Sequence, residues 1–122
     1  MVNSNPGKDF GAAHNGLECW YQQRISAVLL IILLPLPFAL LLSLTLGDLD
    51  MLTLLDVIDH PFSRIVHTLL VLSLLVHAYL GVKVTVEDYV PVVIRIPLML
   101  AFLVLSFCFG LWWLALIWAW GV

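Results

Sequence analysis

Positive charge is scarce in this chain. Of 122 residues only five are Lys or Arg, against eight Asp or Glu, and the net charge is −3. No basic run occurs, which excludes a polybasic nucleic-acid footprint. Cysteine is nearly as rare. Cys19 and Cys108 stand alone, without a CxxC pair, zinc spacing or c-type haem attachment motif, and they read as small packing residues. Two cysteines are too few to hold an iron–sulfur cluster, and no glycine-rich nucleotide loop is present. Met1–Gln23 has neither an apolar signal core nor an Arg- and Ser-rich amphipathic pattern, so it reads as a polar arm rather than a cleavable signal. Asn3, Ser4, Asn5, Pro6 and Gly7 predict disorder at its start.

Hydrophobic residues are abundant instead. They make up 63% of the chain and charged residues 11%, whereas soluble domains have about 45–50% apolar and about 25% charged residues. A core of this size cannot bury that excess, so lipid must solvate most side chains. The fold class expected is all-α: an integral membrane protein of three transmembrane helices within a heteromeric bundle. Residues 1–23 form the arm and 24–122 the membrane domain, with helices at about 25–46, 62–87 and 96–120. The first, at about 22 residues and 1.5 Å per residue, spans roughly 33 Å. Pro35 and Pro37 inside it predict a kink or local unwinding. The charge-free part of the second, Ile65–Val82, is near the minimum length. Pro61 marks its start, and Lys83 can snorkel at its far end. The third carries no charge from Ile96 onward and ends in Trp112, Trp113, Trp118 and Trp120, as an interfacial aromatic belt would.

The loops set the orientation. Residues 47–60 hold Asp48, Asp50, Asp56 and Asp59 and no cation, while Lys8 with Arg24 and Lys83 with Arg95 flank the opposite side. The positive-inside rule places the N-terminus and residues 83–95 in the cytoplasm and the C-terminus outside; Arg64 is the one dissenting charge. Without a transit peptide, the expected location is the bacterial inner membrane, with a cytoplasmic N-terminus and a periplasmic C-terminus.

Few polar residues lie at membrane depth. His77 is well inside the second helix, where an ionisable group is a functional candidate by default. Its partner is a metal, a porphyrin iron, or a hydrogen bond across helices. Ser73 and Gly81, four residues either side, share its face and would let a flat group approach. His67 lies ten residues earlier, roughly 15 Å along the axis and turned about 80° away, so the two cannot clamp one metal. His60 and His14 fall outside the spans. Asp88 and Tyr89 mark the helix exit, where an acid beside a phenol can hydrogen-bond a quinone carbonyl and relay protons; an ordinary solvated exit is the alternative. Arg24 is an anion partner on the same side, for a propionate or for Asp88, or simply a snorkelling arginine.

Three motifs carry a resemblance: Trp20-x-x-Gln23-Arg24-x-Ser26-Ala27, His77-x-x-x-Gly81, and Glu87-Asp88-Tyr89-Val90. With the three-span layout, they resemble the small haem-bearing membrane anchor of succinate dehydrogenase (complex II, succinate:quinone oxidoreductase), of the cytochrome b556 type, over nearly the whole chain. The resemblance implies that His77 is an axial ligand of haem b, the other ligand coming from a second anchor subunit. It also implies that Tyr89 hydrogen-bonds ubiquinone beside Asp88, and that Arg24 lies near the propionates and quinone pocket. Menaquinone is an open alternative to ubiquinone. The implied partners are the second anchor (cytochrome b), an iron–sulfur subunit, a flavoprotein subunit and membrane lipid, with no nucleic acid. The implied role is passing electrons to quinone in the respiratory chain and tricarboxylic acid cycle. A haem-free structural anchor of a fumarate reductase-type complex is the competing expectation, and a small transporter or channel subunit a third. His67, Pro35 and Pro37 have no place in the motif.

Overall fold

The computed structural model describes residues 10–119, with side chains from Leu17 onward. The N-terminal segment Asn3–Gly7, the His14 side chain and Trp120 lie outside that description. Five helices follow in order: α1 (Phe10–Leu33), α2 (Pro35–Leu46), α3 (Met51–Asp59), α4 (Pro61–Tyr89) and α5 (Val92–Ala119). Three stretches are long and apolar enough to cross a membrane: Leu17–Leu46, Pro61–Tyr89 and Val92–Ala119. The all-α, three-span expectation holds. Two details differ from it. Helix α1 begins at Phe10, so much of the expected arm is helical. The acidic connection 47–60 contains a helix of its own.

The first span is interrupted where two donors are missing. Pro35 and Pro37 have no N–H for the Ile31 and Leu33 carbonyls. The helix breaks at Leu34, but Leu34 keeps right-handed helical dihedrals (φ −62°, ψ −35°). The Leu34 N–H still reaches the Leu30 carbonyl at 2.9 Å, and Phe38 N–H reaches the Leu34 carbonyl at 3.2 Å. The outcome is a one-residue interruption between α1 and α2 that keeps helical dihedrals. Helix α2 then stops at Gly47, whose φ of +80° is left-handed. Only there can Asp48 N–H turn back to the Ser43 carbonyl at 3.0 Å.

Helix α3 starts at Asp50, whose carboxylate accepts from Thr53 N–H at 3.3 Å. That bonding with Thr53 holds the Asp50 carboxyl below its ordinary value. Leu54, Leu55 and Ile58 turn inward while Asp56 and Asp59 face out, which is the pattern of an amphipathic helix lying at an interface. Helix α4 follows at once: His60 Nδ1 accepts from Phe62 N–H at 3.2 Å, and Pro61 occupies the first helical position.

Helix α4 is the central element, packed against α1 on one side and α5 on the other. A third of its apolar window is buried (33%), against 11% for the first span and none for α5. Val66, Leu70, Val71, Leu80 and Val86 of α4 supply most of the core, joined by Leu30 and Ile117. At Gly110, α5 approaches closely: a Cβ there would lie 2.8 Å from Leu75 Cδ1. Outside this seam the apolar side chains of all three spans are exposed, as lipid or partner helices require.

Candidate functional site

Helices α1 and α4 run antiparallel, which brings the motifs at Trp20–Ala27 and at His77–Val90 to one end of the molecule. Gln23 faces Gly81, and Ser26 faces His77. Ser26 is almost fully buried. Its hydroxyl donates to the Gln23 carbonyl at 3.0 Å and lies 3.2 Å from His77 Nδ1. A hydroxyl has one proton to give. With that proton committed to Gln23, Ser26 Oγ accepts from His77 Nδ1–H. The imidazole is thereby fixed in the tautomer that leaves the Nε2 lone pair free, and its ring is fixed in direction.

The free nitrogen fits a porphyrin iron approached from outside the chain. Among the described residues no three His, Cys, Asp or Glu side chains gather into a metal site, so His77 could offer a metal one bond, and any second ligand would come from another chain. Gly81 fits the same requirement: a Cβ there would meet only Gln23 Nε2, at an ordinary 4.0 Å. Among the described residues nothing demands a glycine at that position. Ser73 adjusts the expected face, because it is buried inside the bundle while His77 and Gly81 are half-exposed. The open surface therefore runs from His77 toward the Tyr89 end.

Asp88 and Tyr89 stand at that end on the last turn of α4, both exposed, Tyr89 at 83%. Arg24 is at the same end but forms no ion pair with Asp88; its guanidinium lies over the Trp20 ring, 5.1 Å from the centroid. The turn beyond is closed by Arg95, whose Nε donates to the Val90 carbonyl at 2.7 Å. One candidate, His77, is thus engaged with Ser26, and Arg24, Asp88 and Tyr89 remain available to a partner.

The opposite end is organised differently. Arg64 pairs with Asp59 and lies over the Trp118 ring, 5.6 Å from the centroid. Trp118 Nε1 donates to Thr68 Oγ1 at 3.1 Å, and Thr68 Oγ1 donates to the Arg64 carbonyl at 2.7 Å. Arg64 is thus paired within its own chain, though it still counts against the expected orientation, because that rule counts Lys and Arg and not net charge. One turn on, His67 is buried. Its Nδ1 lies 2.8 Å from the Ser63 carbonyl and 3.3 Å from Ser63 Oγ. A carbonyl only accepts, so Nδ1–H donates and His67 too keeps its Nε2 lone pair.

Ser26 belongs to the first motif, yet the sequence alone gives it no role. Its signal is a lone hydroxyl residue at the start of an apolar run, and only the α1–α4 register shows what it bonds.

A bundle with three helices long and apolar enough to cross a membrane defines a class: an all-α integral membrane protein. Residues 4–112 match the succinate dehydrogenase/fumarate reductase transmembrane subunit family. That match covers most of the chain, which belongs to this family and is a membrane subunit of such a complex. Comparison with curated proteins gives no match.

Proposed function

We infer that this chain is the small haem-bearing anchor of a succinate dehydrogenase, of the cytochrome b556 type, holding one side of a haem b and part of the ubiquinone site. The observation that carries the reading is the Ser26–His77 bond, which presents a free Nε2 from a buried helix seam. When bound, haem b supplies a one-electron carrier within the membrane. His77 would ligate its iron through Nε2, Ser26 would hold the ring, and Gly81 leaves room for the macrocycle. A second ligand would come from the other anchor.

At the Tyr89 end, the phenol would donate its O–H to a quinone carbonyl, and Asp88 beside it would pass protons in from water. Two electrons from the iron–sulfur subunit and two protons convert quinone to quinol. Arg24 is placed to pair with an anionic group of the cofactor or of a partner at the same end. The charge asymmetry of the loops supports a cytoplasmic position for this end, where the iron–sulfur and flavoprotein subunits would dock.

The test uses the purified complex. A reduced-minus-oxidised spectrum should show a bis-histidine haem b. Absence of protohaem would turn the reading to a haem-free anchor of the fumarate reductase type. Tyr89→Phe should lower succinate–quinone reduction by roughly 10²-fold while succinate oxidation with an artificial dye persists. Unchanged quinone reduction would overturn the role of Tyr89.

A further inference from the structure

The seam between α1 and α4 changes along its length. On α1, Cys19, Gln23, Ser26 and Leu30 turn toward α4, while Trp20, Tyr21, Gln22, Arg24 and Ile25 are exposed. Leu30 and Ser26 are buried, but Gln23 and Cys19 are only half-buried, so the seam opens toward the Tyr89 end. Gln23 stands where it opens. It lies opposite Gly81, one turn of α4 beyond His77, roughly 6 Å along the axis.

The space over Gly81 has one polar neighbour. A Cβ placed there would find a single atom within reach, Gln23 Nε2 at 4.0 Å. A glutamine amide carries two N–H donors, and among the described residues this side chain makes no hydrogen bond. The Gln23 backbone is engaged, because its carbonyl accepts from Ser26 Oγ at 3.0 Å and Ser26 Oγ lies 3.2 Å from His77 Nδ1. One run of bonds therefore holds the amide and the imidazole in register. A group that fills the space over Gly81 displaces water from the amide. It must return an acceptor or leave the donor unsatisfied, which selects against occupants without one.

Arg24 follows Gln23 in the chain and has the stronger donor, yet it is turned elsewhere. Its side chain is exposed and its guanidinium lies over Trp20. The donor that borders this space is the neutral amide. A single axial bond from His77 Nε2 fixes where a flat ring sits but leaves it free to rotate about that bond. A second contact one turn away removes that freedom.

We propose that Gln23 is a positioning residue, whose Nε2–H donates to a haem propionate lying over Gly81 and so sets the rotation of the ring. This rests on the haem reading of His77 and goes beyond it, since it gives the carboxylate contact to Gln23 in place of Arg24.

The test uses the purified complex and reads the haem itself. Gln23→Leu keeps the bulk and removes the donor. Its propionate charge is then less compensated, which favours ferric iron. The ratio of reduced to oxidised haem at a fixed ambient potential should fall roughly two- to tenfold, and the propionate bending band in the resonance Raman spectrum should shift. Gln23→Glu should lower the ratio further at alkaline than at mildly acid pH, because a carboxyl beside a carboxylate takes up a proton. Gln22→Leu, on the exposed side of α1, should change neither reading. Retained bis-histidine bands in each variant report an intact fold. A haem whose potential and Raman band are unchanged in both Gln23 variants would overturn the proposal and leave His77 untouched. So would an unchanged haem with a raised KM for quinone, which would assign the amide to a quinone carbonyl. An unmodified complex without haem would remove the His77 reading first, and this contact with it.

Discussion

Two histidines stand ten residues apart on α4, and each has its Nδ1 tied to a serine. His67 is bonded to Ser63 of its own helix, one turn back, and lines an open apolar cleft between α2, α3, α4 and α5. His77 is bonded to Ser26 of α1, and its free nitrogen belongs to a half-exposed surface. A tie within one helix forms wherever that helix forms. A tie between helices depends on their register, so the His77 ring is placed only once α1 and α4 have packed. The difference keeps one histidine in the chain's own interior and leaves the other part-exposed, as the proposed shared site requires.

Replacing each histidine in turn is the strongest way to break this comparison. His77→Ala should remove the haem b spectrum of the purified complex, while His67→Ala should leave it in place. Equal loss in both would mean that the histidines act through bundle stability and that neither is a ligand. The next effect concerns the tie. Ser26→Ala removes the acceptor for His77 Nδ1–H without touching the proposed ligand. Loss of an outer-shell partner costs typically about 10–100-fold in affinity. The expected result is partial haem loss in dilute detergent and a shifted reduction potential, both restored in Ser26→Thr. A potential and haem content like those of the unmodified complex would show that the inter-helix bond positions nothing.

How much of this is legible in the sequence follows from the range over which each signal acts. The spans are legible because crossing length is a property of continuous stretches, and the interruption at Leu34 because proline removes donors locally. Helix α3 is not. Four aspartates in residues 47–60 read as an acidic loop, although Leu54, Leu55 and Ile58 carry a helical pattern between Asp56 and Asp59. His77, Gly81 and Ser26 can be picked out by motif, but the pairing of Ser26 with His77 spans 51 positions and exists only through helix register. His67 has no assignment from sequence at all. It lines a cleft that exists only once α2, α3, α4 and α5 have come together.

The Arg64 cluster sharpens the same contrast at smaller amplitude, because it ties α3, α4 and α5 together beside His67. Arg64→Ala removes the Asp59 pair and the stacking on Trp118. A partly exposed ion pair and one cation–π contact together are worth about 1–2 kcal/mol. The expected outcome is a lower Tm for the complex with haem content retained. If haem were lost at a correspondingly lower temperature in Arg64→Ala, the two ends of α4 would not be separable in stability.

The smallest effect is a test of the cap on α3. Thr53 holds the Asp50 carboxyl below its ordinary value of 3.8. A carboxyl whose folded value is depressed contributes stability above its unfolded value and loses it as pH falls through the folded one. The first turn of α3 should therefore exchange its amide hydrogens faster relative to α4 as pH drops below about 4. Asp50→Asn keeps an oxygen that can cap the helix but removes the titration, so the relative exchange should become independent of pH. If the pH dependence persisted in Asp50→Asn, another group would be loosening α3. Because α3 walls the His67 cleft and makes no contact with Ser26 or His77, the Ser26–His77 end should be indifferent to this change in either protein.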